Sequence, residues 1–367
     1  MARNRVIYQS EALYTSKDAS SSAVGDHKQL ERVQSANFNY TINRQDINQF
    51  GELARIDSVV LDPPTVSTDF SYYLTDGFNE RCLGFYVQTG DGAAGGFASG
   101  HMIATSGKNM FIVTSPEGTD INLEKFTSGL DASASDTVIG IGNCYLSNYS
   151  VDMAVGSIPT VSVSMEGANV RSDIANSGSG IASPAVEQED GTSLTDDVTL
   201  PDPSTGASSI TALRPGDITL NIDNFEGDTV ADISGSGDAH VQSVSISVPL
   251  SRSPISKLGS RFPFAREVDF PVTVSMSVSA IMNETIAYNL VDQLEAGEKS
   301  ASITLKDKNG DPAVRWDLKG AIVDSESISS SIGSNKTVDI TFSSQVGGPK
   351  DTAHGIFMSG SNGTEAF

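Results

Sequence analysis

Four histidines, two cysteines and 46 acidic residues are the side chains from which this chain of 367 residues could build chemistry. His27, His101, His240 and His354 are scattered, and none has a second His or Cys at a metal-ligand spacing. A zinc site needs three or four such ligands converging, so it has no nucleus here. His27 and His240 each follow a Gly-Asp pair, which predicts a shared turn or a subunit contact rather than catalysis. Asp307-Lys308-Asn309-Gly310-Asp311 has the form of the first half of a calcium loop. Its twelfth position, where a bidentate Glu must close the site, is Leu318.

Nucleophilic and phosphate-binding motifs fail in the same way. Ser is abundant, but no Gly-x-Ser-x-Gly elbow follows a strand pattern, so a hydrolase has no anchor. The run Gly90-Asp91-Gly92-Ala93-Ala94-Gly95-Gly96 has no Lys and lies after a helical pattern. A phosphate cradle needs the opposite context, so the run reads as a flexible loop. No carboxylate pair for acid–base work stands out among so many acids. The expectation is a protein that is not an enzyme and that uses no cofactor and no metal.

The segments that carry these side chains repeat within the chain. VQSANFNYTINRQDINQFG from Val33 returns as VQSVSISVPLSRSPISKLG from Val241. Four further matches are collinear: Val6-Ile7-Tyr8 with Ile218-Thr219-Leu220, Asn79-Glu80 with Asn283-Glu284, the turn at Pro116-Glu117-Gly118 with Lys308-Asn309-Gly310, and Val155–Met165 with Ile332–Phe342. The spacing between equivalents only falls, from 212 residues to 177. The first copy therefore carries insertions, which loops accept at small cost. Such self-similarity predicts two units of one fold in a single chain.

Each unit reads as β. Val244, Ile246 and Val248 alternate with small polar residues, as do Val272, Val274, Met276 and Val278, and then Val338, Ile340 and Phe342. The first copy repeats this at Phe38, Tyr40 and Ile42 and at Val161, Val163 and Met165. A period of two puts the apolar side chains on one sheet face and the hydroxyls on the other, giving a sheet half buried and half wet. Turn residues between the strands predict an antiparallel sandwich or barrel. One packed helix per copy is predicted: after Asn283, with Ile286, Leu290, Val291 and Leu294 on one face before Gly297, and near Asn79, with Leu83, Tyr86 and Val87 inward.

Composition sets the remaining bounds. The domains predicted are residues 1–170, a connecting stretch 171–212, residues 213–347 and a tail 348–367. The connection is dominated by Ser, Gly, Pro, Thr and acids and reads as a surface crossing or flap without a core; the tail has the same character and is expected to order against a neighbouring subunit. The net charge is −23, and Arg171 to His240 holds thirteen acids against Arg171 and Arg214. A chain this acidic repels phosphate backbones. Cys82 and Cys144 have no counterparts in the second copy and are expected as free thiols. The start MARNRVIYQSEALY has no apolar run of signal type, and no stretch reaches transmembrane length, so assembly in a cytoplasm is expected.

LGSRFPFAREVDFPVTVSMSVSAIMNE from Leu258, the helical pattern to Gly297, SITLKD from Ser302 and DLKGAIVDSESISSSIGSNKTVDITF from Asp317 together resemble the phage tail tube proteins. In that family a hairpin arm with basic and aromatic residues leads into a strand of Pro-Val-x-Val-Ser type, one helix and a closing strand pair. The first copy follows the same order through FGELARIDSVVLDPPTVSTDFSYYLTDGFNE but departs in its arm, its glycine-rich insertion and the stretch before Asn143. The resemblance implies a virion protein whose rings stack into a hollow tube. Three chains would complete a pseudo-sixfold ring, other tail proteins such as sheath, terminator or baseplate would be partners, and DNA would pass without specific binding.

The arms then become the candidate contact sites between subunits. Leu258, Arg261, Phe262, Phe264 and Arg266 lie on a turn-rich stretch that strand periodicity does not explain, and Phe50, Leu53, Arg55 and Ile56 hold the corresponding place in the first copy. Aromatic and Arg side chains are common interface anchors; the competing reading makes them core residues of their own unit. Two other classes fit a duplicated β chain: a sheath, capsid-decoration or surface-layer component, and a secreted glycan-binding module. The single Trp, Trp316, and the missing signal-type run count against the second.

Overall fold

The computed structural model describes residues 11–361 apart from 90–94, 105, 116–120, 122–135, 176–179, 187–196, 204–212, 214–217, 224–239, 260–261, 264, 283–289, 291–296, 307–309 and 334. The first half opens with β1 (Glu11–Ser16), β2 (His27–Gln29) and β3 (Val33–Thr41). It sends out a hairpin of β4 (Arg44–Ile47) and β5 (Asp57–Val60), then returns as β6 (Thr65–Tyr73). α1 (Phe78–Leu83), β7 (Val87–Gln88) and α2 (Ser99–Ile103) lead to β8 (Lys108–Thr114), the long β9 (Asp136–Ala154), β10 (Thr160–Gly167) and β11 (Asn169–Ala175). The short pair β12 (Ile181–Ala182) and β13 (Asp197–Val198) precedes the second half. That half runs through β14 (Ile218–Asp223), β15 (His240–Pro249), a hairpin of β16 (Arg252–Ile255) and β17 (Ala265–Val268), and β18 (Thr273–Ile281). It ends with β19 (Lys299–Lys306), the long β20 (Pro312–Ser329), β21 (Thr337–Gln345) and β22 (Gly355–Gly360).

The protein is mainly β, and the two halves have the same strand order. β3-β6-β10-β9-β8-β1 in the first is matched by β15-β18-β21-β20-β19-β14 in the second. β11 pairs β9 as β22 pairs β20. Bulges recur at equivalent places, between Ser164 and Met165 of β10 and opposite Thr341 and Phe342 of β21. All these pairings are antiparallel, and the short contact of β22 with β7 is parallel.

β9 and β20 each serve two layers. Residues 136–144 of β9 pair with β8 and β11, whereas residues 145–154 pair with β10 and β15. β20 likewise pairs with β19 and β22 before Ile322 and with β21 after it. At the corner β9 has Asn143 at φ 53° and β20 has Gly320 at φ 60°. A left-handed residue turns a strand out of its pleat, which Asn and Gly do at least cost. Both layers turn their apolar sides into one core that runs through both halves and contains Leu13, Met110, Val163, Ile246, Ile303 and Trp316.

The inner layer is an unbroken run of eight strands, because β15 pairs β9 and so fuses the halves. Ser243 to Pro249 face Ala154 to Asn148 without a shift, and Ile246 and Val151 at the centre are fully buried. Burying a pair of this size contributes about 1.5–3 kcal/mol per side chain.

Several expectations change. α1 stops at Leu83 because Gly84 adopts φ 102°; Tyr86 is exposed and Val87 belongs to β7. Asn79 lies in the first turn of α1, and its amide bonds the backbone of Glu31 in both directions at 2.8 Å. The helix expected after Asn283 lies outside the described residues, as do Arg261, Phe264, most of the glycine run and most of the calcium-like turn. Composition predicts no core for the stretch 171–212, yet its Ile181, Val198 and Leu200 are buried with Ala12, Tyr14 and Phe111. Residue 171 itself falls within β11. The tail does not wait for a neighbour: β22 pairs β20, and its Ile356, Phe357 and Met358 are buried within the chain. A few apolar residues at strand spacing suffice to bury a segment whose overall composition is polar.

Candidate assembly surfaces

The wet face of the inner layer follows from the period of two. Ser343, Ser275, Ser247, Ser150, Ser162, Ser71 and Ser35 stand in one row across β21, β18, β15, β9, β10, β6 and β3. Neighbouring hydroxyls bond one another, Ser35 to Ser71 at 2.7 Å, and the Ser164 hydroxyl donates to Asp69 at 2.7 Å. Asp69, Asp152 and Asp339 are exposed on this face. The eight strands contain no Lys or Arg along β3, β6, β10, β15, β18, β21 and the inner parts of β9 and β20. Such strands hydrogen-bond water and offer a phosphate chain no counter-charge of their own.

The same layer ends in two edges. Among the described residues β3 pairs only with β6, and residues 322–329 of β20 pair only with β21. Along β3 the core-side positions Phe38 and Tyr40, and Ile42 just beyond it, are 37%, 59% and 39% exposed. Along β20 Ile322 and Ile328 are 50% and 37% exposed. The equivalent residues, Ile246, Val248 and Leu250 along β15 and Tyr145 and Val151 on β9, are buried. Apolar edges of this length template further pairing.

The two arms differ in what they touch. Hairpin β16–β17 folds from the second half onto the first. Arg252 donates from Nη2 to the His101 carbonyl at 2.6 Å and lies 5.2 Å over the Tyr145 ring. Arg266 pairs with Glu166 at 3.5 Å and lies 5.7 Å from the same ring. Phe262 is buried with Ala168 and Val186. Leu258, at the tip, is fully exposed. Hairpin β4–β5 in the first half leaves Phe50 and Leu53 fully exposed and Ile56 48% exposed, and its Arg55 bonds Asp46 at 3.0 Å within the arm. Of the predicted contact residues, the structure thus brings Phe262 and Arg266 onto the junction between halves and leaves the first arm's four at the surface.

Glu80, His27, His101 and both cysteines are buried in the fold. Glu80 is buried and accepts from the hydroxyls of Tyr72 and Tyr149 at 2.8 and 3.0 Å, and burial pushes its carboxyl above the usual range. His101 packs edge-on against Phe85 with ring centroids 4.5 Å apart, and burial lowers it to about 3. His27 is buried and bonds the Ala23 carbonyl, whereas His240 is exposed at the start of β15, so the two do not stand in equivalent surroundings. Cys82 and Cys144 are buried free thiols, both pushed up to about 12 by burial, which removes the thiolate that reactivity needs.

Sequence reasoning missed the Arg252–Tyr145–Glu166 seat, since its members come from three distant strands. It also missed the serine row, which was visible as alternation within each strand but needs register to become a surface. No helix among the described residues is long and apolar enough to cross a membrane.

Fold and surfaces together define a duplicated, mainly antiparallel β protein with, among the described residues, two open edges and a face whose own strands carry no Lys or Arg. No protein-family model and no curated protein sequence matches the chain. Among solved structures, a chain of the anti-feeding prophage (AFP) baseplate is similar at 17% identity over 40% of this chain and 92% of its own, with a TM-score of 0.26. A type VI secretion system effector from Yersinia pestis is similar at 11% identity over 39% of this chain and 99% of its own, with a TM-score of 0.20.

Proposed function

We propose that this chain is a structural virion protein that stacks as rings into a phage tail tube, a hollow conduit for DNA. One observation carries the reading: the eight strands present a hydroxylated and acidic face and carry no Lys or Arg of their own, Arg252 and Arg266 of the β16–β17 hairpin reaching it only at the Tyr145 end. A conduit wall must not hold what passes along it. Cations on such a wall would bind phosphates, whereas serines and aspartates let a hydrated duplex slide. The chain's resemblance to tube proteins, drawn from its arms and strand order, points the same way. Three chains would complete a ring that is threefold in detail and sixfold in outline, assembled in the host cytoplasm. Sheath, terminator or baseplate proteins would meet its outer loops.

The test is electron microscopy of the purified protein under negative stain across a range of concentrations. Hollow tubes of constant diameter with stacked rings are expected. A protein that stays monomeric at high concentration, or that forms sheets or shells, overturns the reading.

A further inference from the structure

The junction between the halves is a template for a second junction that one chain cannot make with itself. β15 belongs to the second half and adds to β9 of the first. In the first half β3 holds the place of β15, and its register against β6 is that of β15 against β18: Ser35 faces Ser71 as Ser243 faces Ser279, and both pairs follow a bulge. In the second half β20 holds the place of β9, since Ser329 faces Thr337 as Asp152 faces Thr160. The β3 and β20 edges therefore have the shapes of the two surfaces already joined inside the chain, and they lie at opposite ends of the layer.

We infer that β3 of one chain adds antiparallel to residues 325–331 of a second copy, the end of β20 and the two residues after it, with Phe38 opposite Ile328 and Asn39 opposite Ser327. This rests on the assembly reading above and specifies its contact. Carrying the internal register over places Phe38 where Ile246 stands and Ile328 where Val151 stands. Those two residues are fully buried against each other, whereas Phe38 and Ile328 are each 37% exposed in the single chain. The wet face continues across the new junction through Asn39 and Ser327 as it does through Ser247 and Ser150. The arms follow the same rule. Hairpin β16–β17 crosses its junction to seat on Tyr145, and Ile322 holds the place of Tyr145 on β20. Hairpin β4–β5, with Phe50 and Leu53 fully exposed, accordingly seats over Ile322 of the next copy. The contact is heterologous, so it propagates around a ring or along a filament rather than stopping at a dimer.

Directly opposed residues in an antiparallel pair lie about 4.5–5.5 Å apart at Cα, within disulfide reach, and diagonal ones about 7–8 Å apart, beyond it. The double variant Asn39→Cys with Ser327→Cys, oxidised during assembly, is expected to give a ladder of covalent multimers on a non-reducing gel. The control Asn37→Cys with Ser327→Cys, shifted by two residues, is expected to give at least tenfold less. Phe38→Asp, at a position exposed in the single chain, is expected to abolish the ladder while leaving the monomer's thermal midpoint within a few degrees. If wild-type protein forms tubes and the matched pair does not cross-link, or the shifted pair cross-links as well, the register is wrong and the tube reading stands. If the ladder forms but only sheets or filaments without rings are seen, the pairing stands and the tube reading fails. A protein with neither ladder nor assembly overturns both.

Discussion

Asn143 and Gly320 occupy equivalent corners of the two long strands, and both hold a positive φ, 53° and 60°. Each is where a strand leaves the outer layer and enters the inner one. Asn143 is fixed further by its side chain, whose Oδ1 accepts from the Val186 amide at 2.7 Å. Gly320 has no room for a side chain, since an added Cβ would lie 2.7 Å from the His354 ring.

Substitution at these corners should separate conformation from contact. Gly320→Ala is expected to cost about 1–2 kcal/mol for the left-handed backbone, with a further penalty for displacing His354. Asn143→Gly keeps the backbone and loses one buried hydrogen bond, about 1 kcal/mol, whereas Asn143→Val should cost more than either. Chemical denaturation of the three variants measures the order; equal losses at Asn143→Gly and Asn143→Val would refute the backbone account.

Trp316 reports on the junction of the halves. It lies in β20 of the second half, with its ring 4.8 Å from Phe97 and 6.0 Å from Tyr149 of the first. It is the only Trp in the chain and is fully buried. Because one core serves both halves, Trp fluorescence and far-ultraviolet circular dichroism should follow a single coincident unfolding transition. Trp316→Phe is expected to lower its midpoint, and Trp316→Ala to cost about 3–5 kcal/mol. Two resolved transitions would show that the halves unfold separately.

Glu80 makes stability depend on pH in the direction opposite to most carboxylates. Burial raises its pKa in the folded state, so the native protein binds a proton that the unfolded chain has released. That contribution is complete below about pH 4, the range of an unfolded Glu, and is lost as pH rises through the raised folded value. Glu80→Gln keeps an oxygen for the Tyr72 and Tyr149 hydroxyls and cannot ionise. Relative to wild type it should become more stable as pH rises from about 4 to 8. A pH-independent difference would mean that Glu80 titrates normally.

His101 acts on the acid side. Its folded value of about 3 lies below the unfolded one, so the unfolded chain takes up the proton first and stability falls as pH drops from about 6.5 towards 3. The slope from one such proton is about 1.4 kcal/mol per pH unit. His101→Phe keeps the ring against Phe85 and the backbone carbonyl that Arg252 uses, and should flatten that part of the profile. Nuclear magnetic resonance of the imidazole should show no titration step centred between about pH 5 and 8, where a free imidazole titrates; a normal titration curve would rule out the burial account.

The wet face can be converted from repelling to holding. Asp69, Asp152 and Asp339 are exposed there and make no core contact, so replacing all three by Lys should change stability little. The triple variant is expected to bind duplex DNA with a salt-dependent affinity that the wild type lacks. Binding by neither form would indicate that the face is not accessible to a duplex.

The sequence by itself determined the class and the duplication. Alternation at Val244–Val248 and Val161–Met165 needs only the period of a strand, and the falling spacing between repeats needs only loops that tolerate length. It marked the arms through Phe262 and Arg266 because neither fits an alternating pattern. It misjudged Phe38 and Tyr40, whose periodicity is that of core residues although they sit on an outer edge. It also misjudged the 171–212 stretch and the tail, where average composition hid Ile181, Val198 and Ile356 at buried positions. Register across strands was out of its reach. Only the tertiary structure aligned seven serines into one row, fused the halves through Ile246 and Val151, and left β3 and β20 as matching edges. Strand pairing is a contact between residues a hundred positions apart, and local preference, which sets the elements, carries no information about which edges meet.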